Sequence, residues 1–164
     1  MVPHEHAYCV RVEWTGNRGS GTSGYRDYGR EHTIAAAGKP VIPGSSDPVF
    51  RGNADRWNPE DLLVASASAC HQLWYLHLCA DAGVRVLGYV DDAMGTMRDD
   101  ANGRFTRIVL RPRVEIRAGD DRDLAARLHH DAHARCYVAN SLNCPVDCEP
   151  VIETATAETW PRVS

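Results

Sequence analysis

The chain has 164 residues and a formal charge of −4, with 18 Lys plus Arg against 22 Asp plus Glu. That length suits one domain spanning residues 1–164, and no basic run is present that could track a phosphate backbone, which argues against nucleic acid as a partner. The opening MVPHEHAYCV lacks the cationic and apolar regions of a secretion signal, so a cytoplasmic protein is expected, and cysteines at 9, 70, 79, 136, 144 and 148 are too dispersed for a small disulfide scaffold.

Residues 8–15, YCVRVEWT, alternate apolar and polar side chains and read as a strand, followed by the glycine-rich NRGSGTSG and a second strand near 25–36. An N-terminal antiparallel hairpin follows from that pattern. The stretch GKPVIPGSSDPVFRGNADRW, 38–57, is loop by composition, with Val41 and Ile42 as a short strand. Asn58 then supplies an N-cap, Pro59 the first helical position, and Gly83 a stop, which predicts a helix of roughly six turns or more. From Leu62 to Ala80 this helix carries 19 consecutive residues without Asp, Glu, Lys or Arg. The length nearly suits a bilayer, but His71, Gln72, His77, two serines and two cysteines within it point away from a membrane. A helix apolar on nearly every side must be buried on every side. One chain of this size has too little material to do that, so a second copy is expected to help, and ASASA at 65–69 removes bulk where a neighbour approaches.

VRVLGYVDDAMGTM and RFTRIVLRPRVEI read as two strands joined through DDANGR, with Asn102-Gly103 as the turn. DRDLAARLHHDAHARCYVANSL, 121–142, sets Leu124, Ala125, Leu128, Ala132 and Cys136 near one face at helical spacing and predicts a second long helix. A strand near 151–160 completes a ββ-α-ββ-α-β order, an α+β pattern.

Cys70 and Cys136 stand out because each sits in a predicted long helix with titratable company, His71 beside the first and His133 one turn before the second. Buried free cysteines often serve only as small hydrophobes, and spacing alone does not decide between the two roles. The segment NPEDLLVASASAC resembles the NPE-x-L-x-A-A-x-x-x-x-C motif of the OsmC/Ohr family, the osmotically inducible and organic hydroperoxide resistance proteins. AHARC, 132–136, resembles the same family's A-H-x-x-C.

The resemblance implies an OsmC-like fold, antiparallel sheets around two long central helices, in an intertwined homodimer with active sites at the interface. It also implies a thiol-dependent peroxidase for organic hydroperoxides, without metal or cofactor, regenerated by a dithiol reductant such as a lipoyl protein. By position Cys70 matches the peroxidatic cysteine, Cys136 the resolving one, and Glu60 the glutamate that holds an arginine near the thiolate. For that arginine, Arg51 in VFRGNADRWNPE resembles the OsmC branch and Arg18 in TGNRG the Ohr branch, with Arg51 ranked first. A thiol of ordinary pKa, about 8.5, is mostly protonated at neutral pH, which is why the chemistry calls for a nearby cation.

Ten residues of ideal helix place Glu60 roughly 15 Å from Cys70 along the axis. Either the helix is broken between them, or Glu60 and its arginine serve Cys70 across the dimer. The chain departs from the family after the second cysteine, reading CYVANSLNCPVDC, which makes Cys144 a rival resolving thiol; Cys79 and Cys148 read as structural and Cys9 as a strand residue. His71, Trp74, Tyr75 and His77 either line a substrate cavity or fill the core. Two other readings compete: a metal site of His129, His133 and Cys136 with Cys70 or His71, and a non-catalytic dimer binding a small hydrophobic ligand at its interface.

Overall fold

The computed structural model describes residues 4–155, which fall into two compact units divided between Leu62 and Leu63. In the first unit β1 (Arg11–Trp14), β2 (His32–Ala35) and β3 (Ile42–Gly44) form an antiparallel sheet in that order. The expected hairpin is present with shorter strands, because residues 15–31 fold as a long connection. Gly19 and Gly21 take φ of 106° and 60° there, and the Asn17 side-chain oxygen accepts both of their N–H groups at 2.9 and 3.1 Å. Further on, the Ser45 N–H donates to the Trp57 carbonyl at 2.9 Å, which delivers the chain to the start of the first helix.

Local signals set both ends of α1 (Pro59–Asp81). Asn58 Oδ1 accepts the Asp61 N–H at 2.7 Å and caps the first turn. At the other end Gly83 has φ 75°; its N–H reaches the Ala80 carbonyl at 3.2 Å, and the Val84 N–H reaches that of Cys79 at 2.9 Å. A side chain at this left-handed position would cost about 1–2 kcal/mol. Ala67, His71, Tyr75 and Leu78 make the buried stripe of the helix, whereas Leu73 on another side is 67% exposed.

The two strands expected after α1 are four: β4 (Val86–Asp91), β5 (Met94–Arg98), β6 (Arg104–Leu110) and β7 (Pro112–Ile116). Pro112 has no N–H to offer a ladder, and the Arg111 N–H donates to Asp91 Oδ1 at 2.7 Å instead of to a strand. The long hairpin therefore splits at these residues, and its halves enter different sheets, β4-β7-β9 and β5-β6-β8. Its tip turns through Asp100–Gly103, closed by the Gly103 N–H on the Asp100 carbonyl at 2.9 Å, so Asn102-Gly103 ends the turn and does not form its centre.

A second correction concerns α2 (Arg122–Arg135), capped by Asp121 Oδ1 on the Leu124 N–H at 2.9 Å. It stops well short of residue 142 because Cys136 is extended, with φ −70° and ψ 106°, and a one-turn helix, α3 (Tyr137–Asn140), follows. The Asn140 side-chain amide donates to the Ala134 carbonyl at 3.2 Å and so satisfies a group that the break exposes. Cys136 thus lies between helices. Then β8 (Val146–Cys148), which sequence patterning does not reveal, pairs parallel to β6, and β9 (Val151–Thr154) pairs parallel to β7. The remainder of the strand expected near 151–160 lies outside the described residues from 156 onward.

Two apolar clusters hold the second unit. Tyr75, Leu78 and Cys79 of α1 and Ala125, Leu128 and Ala132 of α2 pack on Val114, Ile116 and Ile152. Ala67 of the ASASA stretch packs on Ile108, Leu110 and Val146. Small residues therefore do bring α1 close to its neighbour, but at Ala67 that neighbour is a sheet.

Candidate functional site

Cys70 is half-buried on α1, and Cys136 is buried between α2 and α3; both are free thiols. Burial pushes the Cys136 thiol up to about 11. The Ala139 N–H, 3.4 Å from its sulfur, opposes that shift in part, and the adjacent Cys70 sulfur raises it further as a hydrogen-bond partner. Aromatic packing fixes the same approach independently. Trp74, one turn beyond Cys70, meets Tyr137, the residue after Cys136, edge to face at 5.7 Å. The Arg135 guanidinium, just before Cys136, lies 5.8 Å from the Trp74 ring centre.

Beneath this pair is a second group of donors. His71 Nε2 and His129 Nδ1 are 3.0 Å apart, with ring planes within 6° and ring centres 5.3 Å apart. The difference between those two distances is about the combined centre-to-nitrogen reach of two imidazoles. The nitrogens therefore point at each other, and one ring donates in line to the other, edge to edge. Tyr75 stacks on His129 at 3.7 Å. Cys148 Sγ stands 3.5 Å from His71 Nε2 and 3.9 Å from His129 Nδ1.

Burial dominates the electrostatics of this group. It lowers His71 to about 4, assisted by nearby His133 and opposed by Asp91. His129 falls to about 3, through burial and then His71. Burial, Asp91 and Glu149 together push the Cys148 thiol up to about 12. All three are neutral at physiological pH. His71 Nδ1 and His129 Nε2, the outer ring nitrogens, are buried and have no hydrogen-bond partner among the described residues.

The sulfur expected beside His129 and His133 was that of Cys136, with Cys70 or His71 as a further donor. The sulfur that stands beside His129 is instead that of Cys148, with His71 and not His133 as the other donor, because the pairing of β8 with β6 fixes its place. Of this placement of Cys148 the sequence shows only its position shortly after Cys144. Cys144 packs with Cys148 at the edge of the Ala67 cluster. Arg18 and Arg51 are exposed and Glu60 is half-buried in the first turn of α1; all three belong to the first unit, and both cysteines of the pair to the second. Arg51 has φ 69° at the end of a 3-10 turn. Since α1 runs from Pro59 to Asp81 without a break, a broken helix does not bring Glu60 to Cys70.

A long helix and a shorter one packed on small mixed sheets define an α+β protein. The OsmC-like protein family is matched over residues 52–150, and the chain belongs to it. It is similar to an OsmC-like protein of unknown function from Vibrio cholerae O1 biovar eltor, at 28% identity and a TM-score of 0.79, over 90% of this chain and 100% of that one. An organic hydroperoxide resistance protein from Legionella pneumophila shares the fold at 17% identity and TM-score 0.62, over 90% of this chain and 98% of that one. Another from Elizabethkingia anophelis does so at 19% and 0.63, over 93% and 100%. No curated protein matches the chain. Among the described residues no helix is long and apolar enough to cross a membrane.

Proposed function

We propose that this chain is a thiol-dependent peroxidase that reduces organic hydroperoxides, with Cys70 as nucleophile and Cys136 as resolving thiol. The observation that carries the reading is the packing of the residues beside Cys136 on the turn of α1 beyond Cys70, Tyr137 and Arg135 against Trp74, with Cys70 half-buried and Cys136 buried. The Cys70 thiolate attacks the terminal oxygen of the hydroperoxide, the O–O bond breaks, and the alkoxide takes a proton and leaves as alcohol. Cys70, oxidised by two electrons, is then a sulfenic acid. Cys136 attacks that sulfur and loses its proton to the departing hydroxide, which leaves as water, and a disulfide joins the two. A dithiol reductant, such as a lipoyl protein, restores both thiols and becomes a disulfide itself. Leu73, Trp74 and His77 line a shallow cavity of about 230 Å³ on the same helix, which suits the apolar part of an organic substrate.

The cation that favours the Cys70 thiolate is Arg51, or Arg18 in its place, held by Glu60 of a partner copy, because an unbroken helix keeps Glu60 roughly 15 Å from Cys70 along its own axis. Apolar surface left open in each unit supports a homodimer: Val12 on β1 is 62% exposed and Leu73 on α1 67%. Light scattering should give the mass of two chains. A folded monomer at micromolar concentration would remove the cross-subunit role of Glu60.

Mild treatment with an alkyl hydroperoxide should link Cys70 to Cys136 within one chain, recovered as one pair by peptide mapping without reduction. Cys136→Ser should leave Cys70 open to sulfinic acid formation. A link from Cys70 to Cys144 instead would transfer the resolving role to the NCPV segment. No link, with Cys70 unmodified, would leave the non-catalytic ligand-binding dimer as the better reading.

A further inference from the structure

We propose that His71, His129 and Cys148, completed by a water molecule, form a binding site for a borderline divalent cation of the zinc type, separate from the Cys70–Cys136 pair.

Three donors from three elements, α1, α2 and β8, converge with spacings of 3.0 Å between nitrogens and 3.5 and 3.9 Å from nitrogen to sulfur. A tetrahedral zinc site, with Zn–N about 2.0–2.1 Å and Zn–S about 2.3 Å, sets its nitrogens about 3.3 Å apart and nitrogen and sulfur about 3.6 Å apart. The observed triangle is within a few tenths of an ångström of one face of that tetrahedron. His133 lies one turn after His129 on α2, hence on the same side of the helix, and near enough to His71 to influence its protonation. Its ring is not one of the three converging donors, so the fourth position of the tetrahedron falls to water. A cavity of about 300 Å³ touches His129, His130, His133, Asp147 and Cys148 and gives an ion its way in.

The in-line His71–His129 hydrogen bond accounts for two of the donors without any ion. The Cys148 sulfur adds hydrogen-bond contacts to both inner nitrogens, so the three donors already share one small volume in the absence of an ion. To bind an ion the rings tilt out of line, and the ring that donates the inner hydrogen bond moves its proton to its own outer nitrogen, where the accepting ring already carries its N–H, so that each neutral imidazole keeps one N–H. His71 Nδ1 and His129 Nε2 are buried with no hydrogen-bond partner among the described residues, so the transfer leaves a buried N–H unpaired and breaks the bond between the rings, costs that coordination of the ion must offset. The histidines are already neutral at physiological pH. Only the Cys148 thiol must then lose a proton, to solvent, and binding releases one proton per ion and tightens as pH rises.

The test starts from full-length protein, reduced and stripped with a chelator, then titrated with cobalt(II). One equivalent should produce the intense visible bands of tetrahedral cobalt with a thiolate-to-cobalt charge-transfer band, and zinc should displace it. Cys148→Ser should lose the charge-transfer band and most of the affinity, whereas Cys70→Ser/Cys136→Ser should keep both. If Cys148→Ser fails to fold, alkylation of the unmutated chain decides: one equivalent of zinc should shield Cys148 and leave Cys144 reactive. The proposal is overturned by the absence of one-equivalent binding, by bands that persist in Cys148→Ser and vanish in the double variant, or by equal alkylation of Cys148 with and without zinc. None of these outcomes bears on the peroxidase reading, which uses neither Cys148 nor an ion.

Discussion

Cys70→Ser should consume an alkyl hydroperoxide no faster than the uncatalysed reaction with the same dithiol, a loss of roughly a thousandfold or more, equivalent to about 4 kcal/mol of transition-state stabilisation. The reason is chemical and not steric. Serine differs by one atom, but its hydroxyl stays protonated at neutral pH, and its oxygen cannot take up the peroxide oxygen to give the intermediate that a second thiol reduces. Labelling with a sulfenic acid trap should disappear with it. Cys136→Ser should behave differently: the first equivalent of hydroperoxide is still consumed and the trap still labels Cys70, while steady turnover falls. Arg51→Ala should slow the first step without abolishing it. Full activity in Cys70→Ser would end the mechanism, whatever the other variants do.

The part of the fold that could be read from the chain is the part that local chemistry decides. Asn58, Pro59 and Gly83 act within a turn of their own positions, and α1 begins and ends where they say. The end of α2 depends on a side chain beyond it, because Asn140 reaches back to the Ala134 carbonyl across the extended Cys136. Hydrophobic spacing continues smoothly through 136 and carries no trace of that break. Likewise the split hairpin depends on the Asp91 carboxylate, which binds the Arg111 N–H from 20 positions away and also accepts from Ser68 at 2.5 Å. Each strand looks continuous until its partner is known.

The candidate site divides in the same way. Cys70 and Cys136 were legible as motif positions, and the structure adds that their elements meet, with Trp74 wedged against Tyr137 and Arg135. His71 and His129 were legible only as members of a helical pattern. Cys148 was not, because its place is set by three residues of parallel pairing, Ile108 with Val146 through Leu110 with Cys148, that no period in the sequence announces. The result is two sulfur sites on one helix face and its underside, one half-open and one buried. The two histidines carry no charge at neutral pH for a physical reason: burial of both rings works to exclude an added proton.

That exclusion makes acid the most effective way to loosen the metal-free protein. Burial holds His71 at about 4 and His129 at about 3 in the folded chain, against 6.5 for an ordinary histidine. Below pH 6.5 the unfolded chain protonates both side chains while the folded chain resists, so the unfolded state binds more protons. Stability is therefore complete above that pH and is lost as pH falls, down to the folded values. At pH 5 each histidine should cost about 2 kcal/mol, or about 4 kcal/mol together, a large share of the typical 5–15 kcal/mol. The pair does not titrate independently, since charge on His71 further opposes charge on His129. Ordinary carboxylates titrate lower, which leaves the interval from pH 6.5 to pH 5 mainly to histidine. Urea unfolding of chelator-treated protein at pH 7 and pH 5 should show this drop. His71→Gln/His129→Gln, less stable at pH 7 for loss of the stacked and hydrogen-bonded rings, should show a much smaller one. A wild-type protein whose stability changes by less than about 1 kcal/mol over that interval would mean that the two rings gain protons as easily when folded as when unfolded, and that the pair is not sealed from water.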